Sequence, residues 1–199
     1  MFLLTFKYRP EHVDCQYCTE VGSCRDRAGG PCPWLAERLE AGVVSYSEVM
    51  LSLLDDPGCP LSCRRMTELL DSWPGTLWHS ESHKTNYNWL ESNIPLGRAD
   101  TNRRLASAYL LSSTPELIRF SKSCCVSGIH GQKPSASTDN LSDAELTMLV
   151  AAFNLLSQPE PPALRALLSP NHADLFSTRQ IAHALLIARY GSDVLKIAD

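Results

Sequence analysis

Residues 142–153 have the sequence Ser-Asp-Ala-Glu-Leu-Thr-Met-Leu-Val-Ala-Ala-Phe, and this stretch decides the predicted fold class. It opens with Ser142 and, three residues later, Glu145, the capping-box pattern in which each side chain accepts a hydrogen bond from the backbone amide of the other. Apolar residues follow at helical spacing, which places on one face of an α-helix Leu146, Leu149, Val150 and Phe153. The stretch therefore predicts an amphipathic helix.

Similar helix-start and helix-end signals occur both before and after this stretch. Ser177 and Gln180 repeat the capping pattern before an apolar segment that ends at Gly191. Further helices are predicted from Pro33 to Gly42, from Ser45 to Pro57, over 61–72, from Ser80 to Leu90, over 102–112, and from Thr114 to about Lys122. A flexible loop is expected over the Ser-, Gly- and Pro-rich residues 124–140. The predicted fold class is mainly α, with a helical bundle.

The N-terminus follows a different periodicity. Aromatic and apolar residues alternate with others at a period of two, which predicts a β-strand through Phe2, Leu4, Phe6 and Tyr8. Its expected partner is the β-branched stretch 42–44, because one strand is not stable alone. A strand from another molecule is the alternative.

Composition and charge narrow the functional classes. The chain has 199 residues, of which 44% are apolar and 20% charged, so wholesale disorder is excluded. Its net charge of −4 argues against a protein that wraps nucleic acid by charge alone. The sequence has neither the pattern of a signal peptide nor an apolar run long enough to span a membrane. We therefore expect a cytoplasmic protein with reduced cysteines and no membrane partner.

Four cysteines near the N-terminus have metal-ligand spacing. Two, five and seven residues separate Cys15, Cys18, Cys24 and Cys32. The closely spaced pair lets two sulfurs reach one ion, and four thiolates suit tetrahedral zinc. We predict a structural Zn²⁺ site with no position open to water, with His12 replacing one cysteine, or an iron–sulfur cluster, as alternatives. The strand and this zinc knuckle make up a predicted N-terminal module over residues 1–58, and the helical bundle occupies residues 59–199.

The other cysteines and the histidines give weaker signals. Cys59 and Cys63 supply only two ligands, and Cys124-Cys125 is expected to be a packed pair rather than a redox centre. His79 and His83 flank Glu81 at a spacing that could hold a metal, but surface positions are the favoured interpretation. His183 lies inside the last apolar helix and is expected to be a hydrogen-bonded core residue.

Basic residues are concentrated in the middle of the chain. Five of them fall within 25 residues, with Tyr109 among them and Trp89 shortly before them: Arg98, Arg103, Arg104, Arg119 and Lys122. Such a patch could contact phosphates or an acidic protein, and a solvated helix face explains it equally well. Motifs for phosphate-binding loops, dinucleotide binding or a catalytic serine are absent from the sequence, so an enzyme is the less favoured class.

Three segments resemble a family of small cysteine-rich accessory proteins encoded on conjugative elements and prophages of gut bacteria. They are FKYRPEHVDCQYC at 6–18, CPWLAERLEAGVV at 32–44 and LLIARYG at 185–191. The resemblance implies a protein that aids transfer, regulates the element or blocks host defences. We therefore expect a zinc-stabilised, non-enzymatic binding protein of a mobile genetic element, one form of which is a counter-defence (anti-CRISPR) inhibitor of a host nuclease. The alternatives are a DNA-binding accessory or regulatory factor, and a metal-dependent enzyme built on His79, Glu81 and His83.

Overall fold

The computed structural model describes residues 7–17, 32, 34–55, 61–93, 101–130, 138–157 and 173–197, with the backbone alone for 17, 55, 123–130 and 157. Within these ranges the chain is helical and contains no strand. The eight α-helices are α1 (Leu35–Glu40), α2 (Tyr46–Ser52), α3 (Cys63–Asp71), α4 (Glu81–Glu91), α5 (Thr101–Leu111), α6 (Pro115–His130), α7 (Asp143–Ser157) and α8 (Leu175–Tyr190). Four 3-10 turns accompany them, at Pro10–His12, Cys15–Tyr17, Leu53–Asp55 and Ser192–Lys196. The prediction of a mainly helical bundle is confirmed.

Helix α5 lies at the centre of the bundle. It packs against α4, α7 and α8, and α7 and α8 also contact each other. Small side chains allow α5, α7 and α8 to approach closely. Each of these three helices carries a fully buried alanine, at Ala106, Ala151 and Ala182 respectively. None of the helices in the described ranges is long and apolar enough to cross a membrane.

Capping residues set most helix starts where the sequence predicts them. Ser142 and Glu145 form the expected capping box: the Ser142 amide donates to Glu145 Oε2 at 2.9 Å, and the Glu145 amide donates to Ser142 Oγ at 3.3 Å. Ser45 begins α2 in the same way with Glu48, and Ser80 caps α4. The first turn of each helix would otherwise leave backbone amides without partners.

The start of α8 differs from the prediction. Its N-cap is Asp174, whose Oδ1 accepts from the Ser177 amide at 2.7 Å, so Ser177 lies inside the first turn and is fully buried. An aspartate three residues upstream is an equally good cap by sequence, and the earlier start adds almost one turn of helix. Gly191 ends the helix as expected, with a φ of +81° that favours glycine.

Two further predictions need correction. Helix α6 continues to His130, whereas a loop was expected from residue 124. The single Gly128 costs an α-helix only about 1 kcal/mol, and the first proline of this region comes at residue 134. Residues 42–44 form the turn that ends α1 and not a strand, with the Val43 amide donating to the Arg38 carbonyl at 3.0 Å. Most of the strand predicted around residues 2–8 lies outside the described residues.

Candidate binding surfaces

The predicted zinc site falls only partly within the described chain. Cys15 begins an exposed 3-10 turn, and Cys32 is half-buried against the hydrophobic core just before α1. Cys18 and Cys24 lie outside the described residues. His12, the alternative ligand, accepts a hydrogen bond from the Arg9 amide at Nδ1, 3.2 Å away. Zinc binding by these residues stays a prediction.

Arg38 is the charged group next to Cys32. Its Nη1 lies 2.7 Å from Glu48 Oε1, and this partly buried ion pair joins α1 to α2. Burial tends to lower the pKa of Arg38, but its contacts with Glu48 and Cys32 outweigh burial and raise that pKa. The Arg38–Glu48 ion pair therefore places a guanidinium beside Cys32 at the start of α1.

Of the four remaining cysteines, Cys63 is the one whose side chain the structure describes. Cys63 lies in the first turn of α3 and is exposed, while Cys59 is outside the described residues. Cys124 and Cys125 belong to helix α6 and not to a loop as predicted, and their side chains are not described. Among the described residues no group of three or more His, Cys, Asp or Glu side chains could hold a metal ion.

His83 is buried, which corrects the prediction of a surface position. Its Nε2 lies 2.9 Å from the Tyr109 carbonyl and donates to it, while Nδ1 accepts from the His79 amide at 3.3 Å. His79 precedes α4 and its ring packs on Phe176. Burial is the main cause that lowers the pKa of His83, to about 4. Both ring nitrogens of His83 are therefore engaged in hydrogen bonds, and the metal-dependent enzyme built on His79, Glu81 and His83 stays a prediction.

Two residues of the predicted basic patch line a cleft on the surface of the bundle. The cleft holds about 240 Å³ between α4 and the first half of α6. It is lined by Ser82, Asn86, Ser112, Ser113, Thr114, Pro115, Ile118, Arg119 and Lys122. Arg103 and Arg104 are half-buried on α5, and Arg98 lies outside the described residues. The structure thus brings Arg119 and Lys122 to one cleft, and Arg103 and Arg104 are not among the residues that line it.

Trp89 adjoins this cleft through Lys122. The Lys122 ammonium lies 4.9 Å from the centre of the Trp89 ring, a cation–π contact. Trp89 is 44% exposed, which is unusual for so large an apolar side chain. The other aromatic residue of the predicted patch, Tyr109, is completely buried and belongs to the core.

The outer face of α7 is apolar and exposed, although the sequence pattern predicts that an apolar face of this helix is buried. Leu149 packs in the core with its neighbours, but the other three residues of the predicted face are exposed, and they are joined by Leu156. We call these four residues the α7 stripe: Leu146, Val150, Phe153 and Leu156, each between 38% and 48% exposed. Apolar residues occupy both sides of this helix, so periodicity alone could not show which side is buried.

The α7 stripe is also free of charge along its length. From residue 146 to residue 156 the sequence contains no Asp, Glu, Lys, Arg or His. A solvated helix face normally carries charged residues, and an exposed apolar patch marks an interaction surface in many proteins. The sequence signal that marks this exposed face is therefore the charge-free run from residue 146 to residue 156.

Comparisons with known proteins do not restrict these possibilities. No family model, no curated protein and no solved structure matches this chain. What the chain does must therefore be argued from its own surfaces. Among the described residues, the α7 stripe and the cleft between α4 and α6 present groups suited to binding.

Proposed function

We propose that this chain is a non-enzymatic binding protein that docks a helix of a protein partner on the α7 stripe. The observation that supports this proposal is the row of four exposed apolar side chains on a helix whose exposed face carries no charge between residues 146 and 156. Their spacings of four, three and three residues are those by which one helix packs along another. A protein helix is thus the occupant that fits best.

The charge around the stripe indicates the chemistry of that helix. Helix α7 carries two carboxylates, on Asp143 and Glu145, and no basic residue. The whole chain is acidic, with a net charge of −4. An apolar face flanked by Lys and Arg residues is therefore the complementary surface, since opposite potentials speed encounter and exclude wrong partners.

A host nuclease is the partner class that we propose to test first. The resemblance to accessory proteins of mobile elements implies a role in transfer, regulation or counter-defence, and nucleases bind their substrates through basic surfaces. An acidic protein can compete for such a surface. Within this proposal the predicted zinc site is structural, and it fixes the N-terminal segment beside α1 without taking part in binding.

The test is site-specific photocrosslinking in the bacterial host, followed by reconstitution. A photoreactive phenylalanine derivative replaces Phe153, and the control places it at Val43, which is exposed on the turn after α1. We expect a protein crosslinked from position 153 alone, at a helical segment with basic flanks. The purified partner should bind the unmodified protein and lose at least tenfold in affinity with Phe153→Glu, but not with Trp34→Glu, a similarly exposed aromatic away from the stripe.

Two results would overturn the proposal. One is a crosslink from position 153 to a second copy of the same chain, together with a dimer in light scattering. The other is equal loss of binding with Phe153→Glu and Trp34→Glu. Thermal melts of both variants separate loss of the surface from loss of the fold.

A DNA-binding accessory factor is the second candidate function. The observation that favours it is the convergence of Arg119 and Lys122 on one cleft.

A further inference from the structure

We infer that the cleft between α4 and α6 binds a phosphate group carried by a nucleotide, either free or within a single strand of nucleic acid. This site lies on helices other than the α7 stripe and does not depend on the proposed protein partner. Its volume of about 240 Å³ is small for a drug-sized molecule and suits a phosphate with part of its sugar.

The charge of the lining favours an anion. Arg119 and Lys122 are the two charged side chains among the lining residues, and none of the described residues that line the cleft is Asp or Glu. The two cations lie three residues apart on α6, so they share one face of that helix. Both are reachable from solvent, and an incoming phosphate can contact them together.

The opposite wall supplies hydrogen-bonding groups. Ser82 and Asn86 lie four residues apart on α4, on the face that lines the cleft. The floor is formed by Ser112 and Ser113, whose hydroxyls donate to the carbonyls of Tyr109 and Leu110 at 2.9 and 2.7 Å. These bonds hold the floor in place, so the donors left for a ligand are the groups on the two helices.

The ion pair of Arg119 does not compete strongly with such a ligand. Its Nη2 lies 3.7 Å from Glu116 Oε1, and its side chain is 75% exposed. Exposed pairs at this separation are weak because water screens them. A phosphate offers the guanidinium two oxygens and more charge, so exchange of Glu116 for the ligand is favourable.

Trp89 gives the reason to choose a nucleotide over inorganic phosphate. Lys122 rests over the Trp89 ring, and when it turns to a phosphate in the cleft it uncovers an aromatic face beside the site. A base stacked on an aromatic ring adds affinity with little dependence on sequence. Flexible single strands and free nucleotides can present phosphate and base together in this way, whereas the bases of a duplex are already stacked.

The experiment measures binding of the full-length protein to a fluorescein-labelled 12-mer of thymidine, by anisotropy at 50 and 200 mM salt. AMP, inorganic phosphate and a 12-base-pair duplex are the competitors, and quenching of tryptophan fluorescence reports on Trp89. We expect the 12-mer or AMP to bind, with inorganic phosphate and duplex at least tenfold weaker. A 12-mer much tighter than AMP identifies a strand as the source of the phosphate, and equal affinities identify a free nucleotide.

Variants connect the binding to the cleft. Arg119→Gln with Lys122→Gln should weaken binding at least tenfold and reduce its dependence on salt, while Trp89→Leu should weaken it and abolish the quench. The control is Arg64→Gln, which removes an exposed cation from α3. The inference is overturned if neither the 12-mer nor AMP binds at low salt, if inorganic phosphate or the duplex binds as well as both, or if Arg64→Gln weakens binding as much as the cleft variants. Loss of nucleotide binding would leave crosslinking from the α7 stripe unchanged.

Discussion

Nε2 of His183 lies 2.9 Å from the hydroxyl of Tyr46, inside the core of the bundle. On the other side of the ring, Nδ1 lies 3.0 Å from the hydroxyl of Tyr109, which in turn donates to the carbonyl of Leu77. Because Tyr109 uses its proton on that carbonyl, its oxygen accepts from Nδ1–H, and Tyr46 must then donate to Nε2. One ordered chain of hydrogen bonds therefore joins α2, α8, α5 and the segment before α4.

Removing the hydroxyl that ends this chain should destabilise the protein. In Tyr46→Phe the ring can keep its stacking on Trp73, whose centre is 3.5 Å away, but Nε2 of the fully buried His183 loses its donor. A buried acceptor without a partner costs about 1–3 kcal/mol, and we expect that loss in the free energy of unfolding measured with urea.

The matched control for Tyr46→Phe is Tyr190→Phe. The Tyr190 hydroxyl donates to Ser52 Oγ at 3.0 Å, but its side chain is half-buried and water can replace it. We expect a loss under about 1 kcal/mol there. Equal losses in the two variants would contradict a special role for the His183 chain.

The two buried histidines should make the protein sensitive to mild acid. Burial lowers the pKa of His183 to about 3 and that of His83 to about 4, from an ordinary value of 6.5. Both are neutral in the folded protein and take up protons when it unfolds. Their contribution to stability is complete above pH 6.5 and is lost as the pH falls toward 4, by up to about 1.4 kcal/mol per pH unit for each histidine.

Urea unfolding between pH 7.5 and 4.5 measures this slope. A His183→Gln variant should be less stable at pH 7 but should lose less on acidification, because of the two buried histidines His83 alone is then left to take up a proton on unfolding. A slope unchanged by the substitution would show that other groups cause the acid sensitivity.

The sequence allows the helices to be predicted better than the surfaces. Capping residues such as Ser45 and Ser142 bond to the backbone amide three residues later, so a helix start can be predicted from a few neighbouring residues. Burial of His183 was also predictable, since it lies within an apolar helix. The burial of His83 was not, because its position follows from the Tyr109 carbonyl, 26 residues away along the chain.

For the candidate sites too, the sequence indicates individual residues but not which distant elements pack beside them. The sequence placed Arg119 and Lys122 in a patch of five basic residues, but the wall of the cleft formed by Ser82 and Asn86 comes from α4, which only the tertiary fold brings near. For α7, both faces are apolar, and the choice of buried face depends on how α5 and α8 pack on it. Tertiary packing therefore determines which face of α7 is buried, and the local sequence does not.

A comparison of two apolar residues on α7 tests that assignment. Leu149 is 3% exposed and packs in the core, so Leu149→Ala should cost about 2–5 kcal/mol through lost burial and a residual cavity. Phe153 is 48% exposed, and Phe153→Ala should cost less than about 1 kcal/mol in the isolated protein. Urea unfolding of both variants measures the difference. If Phe153→Ala proved as costly as Leu149→Ala, the stripe would be part of the core and could not receive a partner.

Metal analysis of the purified protein tests the predicted zinc site. We expect about one equivalent of Zn²⁺, bound by Cys15, Cys18, Cys24 and Cys32, and a lower content in Cys24→Ser. Cys63→Ser is the control, because Cys63 lies exposed on α3 and belongs to no metal group among the described residues. Less than half an equivalent of zinc with no iron would refute the site. Iron together with visible absorbance would identify an iron–sulfur cluster instead of a zinc site.

The effect of removing zinc should be local. The central helices of the bundle are α5 and the three helices that pack on it, α4, α7 and α8, and all four lie far along the chain from residues 15–32. Chelation should therefore leave the melting temperature of the helical signal nearly unchanged and increase proteolysis before α1, because the metal orders only its own segment. Far-UV circular dichroism and limited trypsin digestion, with and without chelator, measure the two effects. Collapse of the helical signal on chelation would mean that the cysteine site supports the whole fold, and the bundle would then not be stable by its own packing.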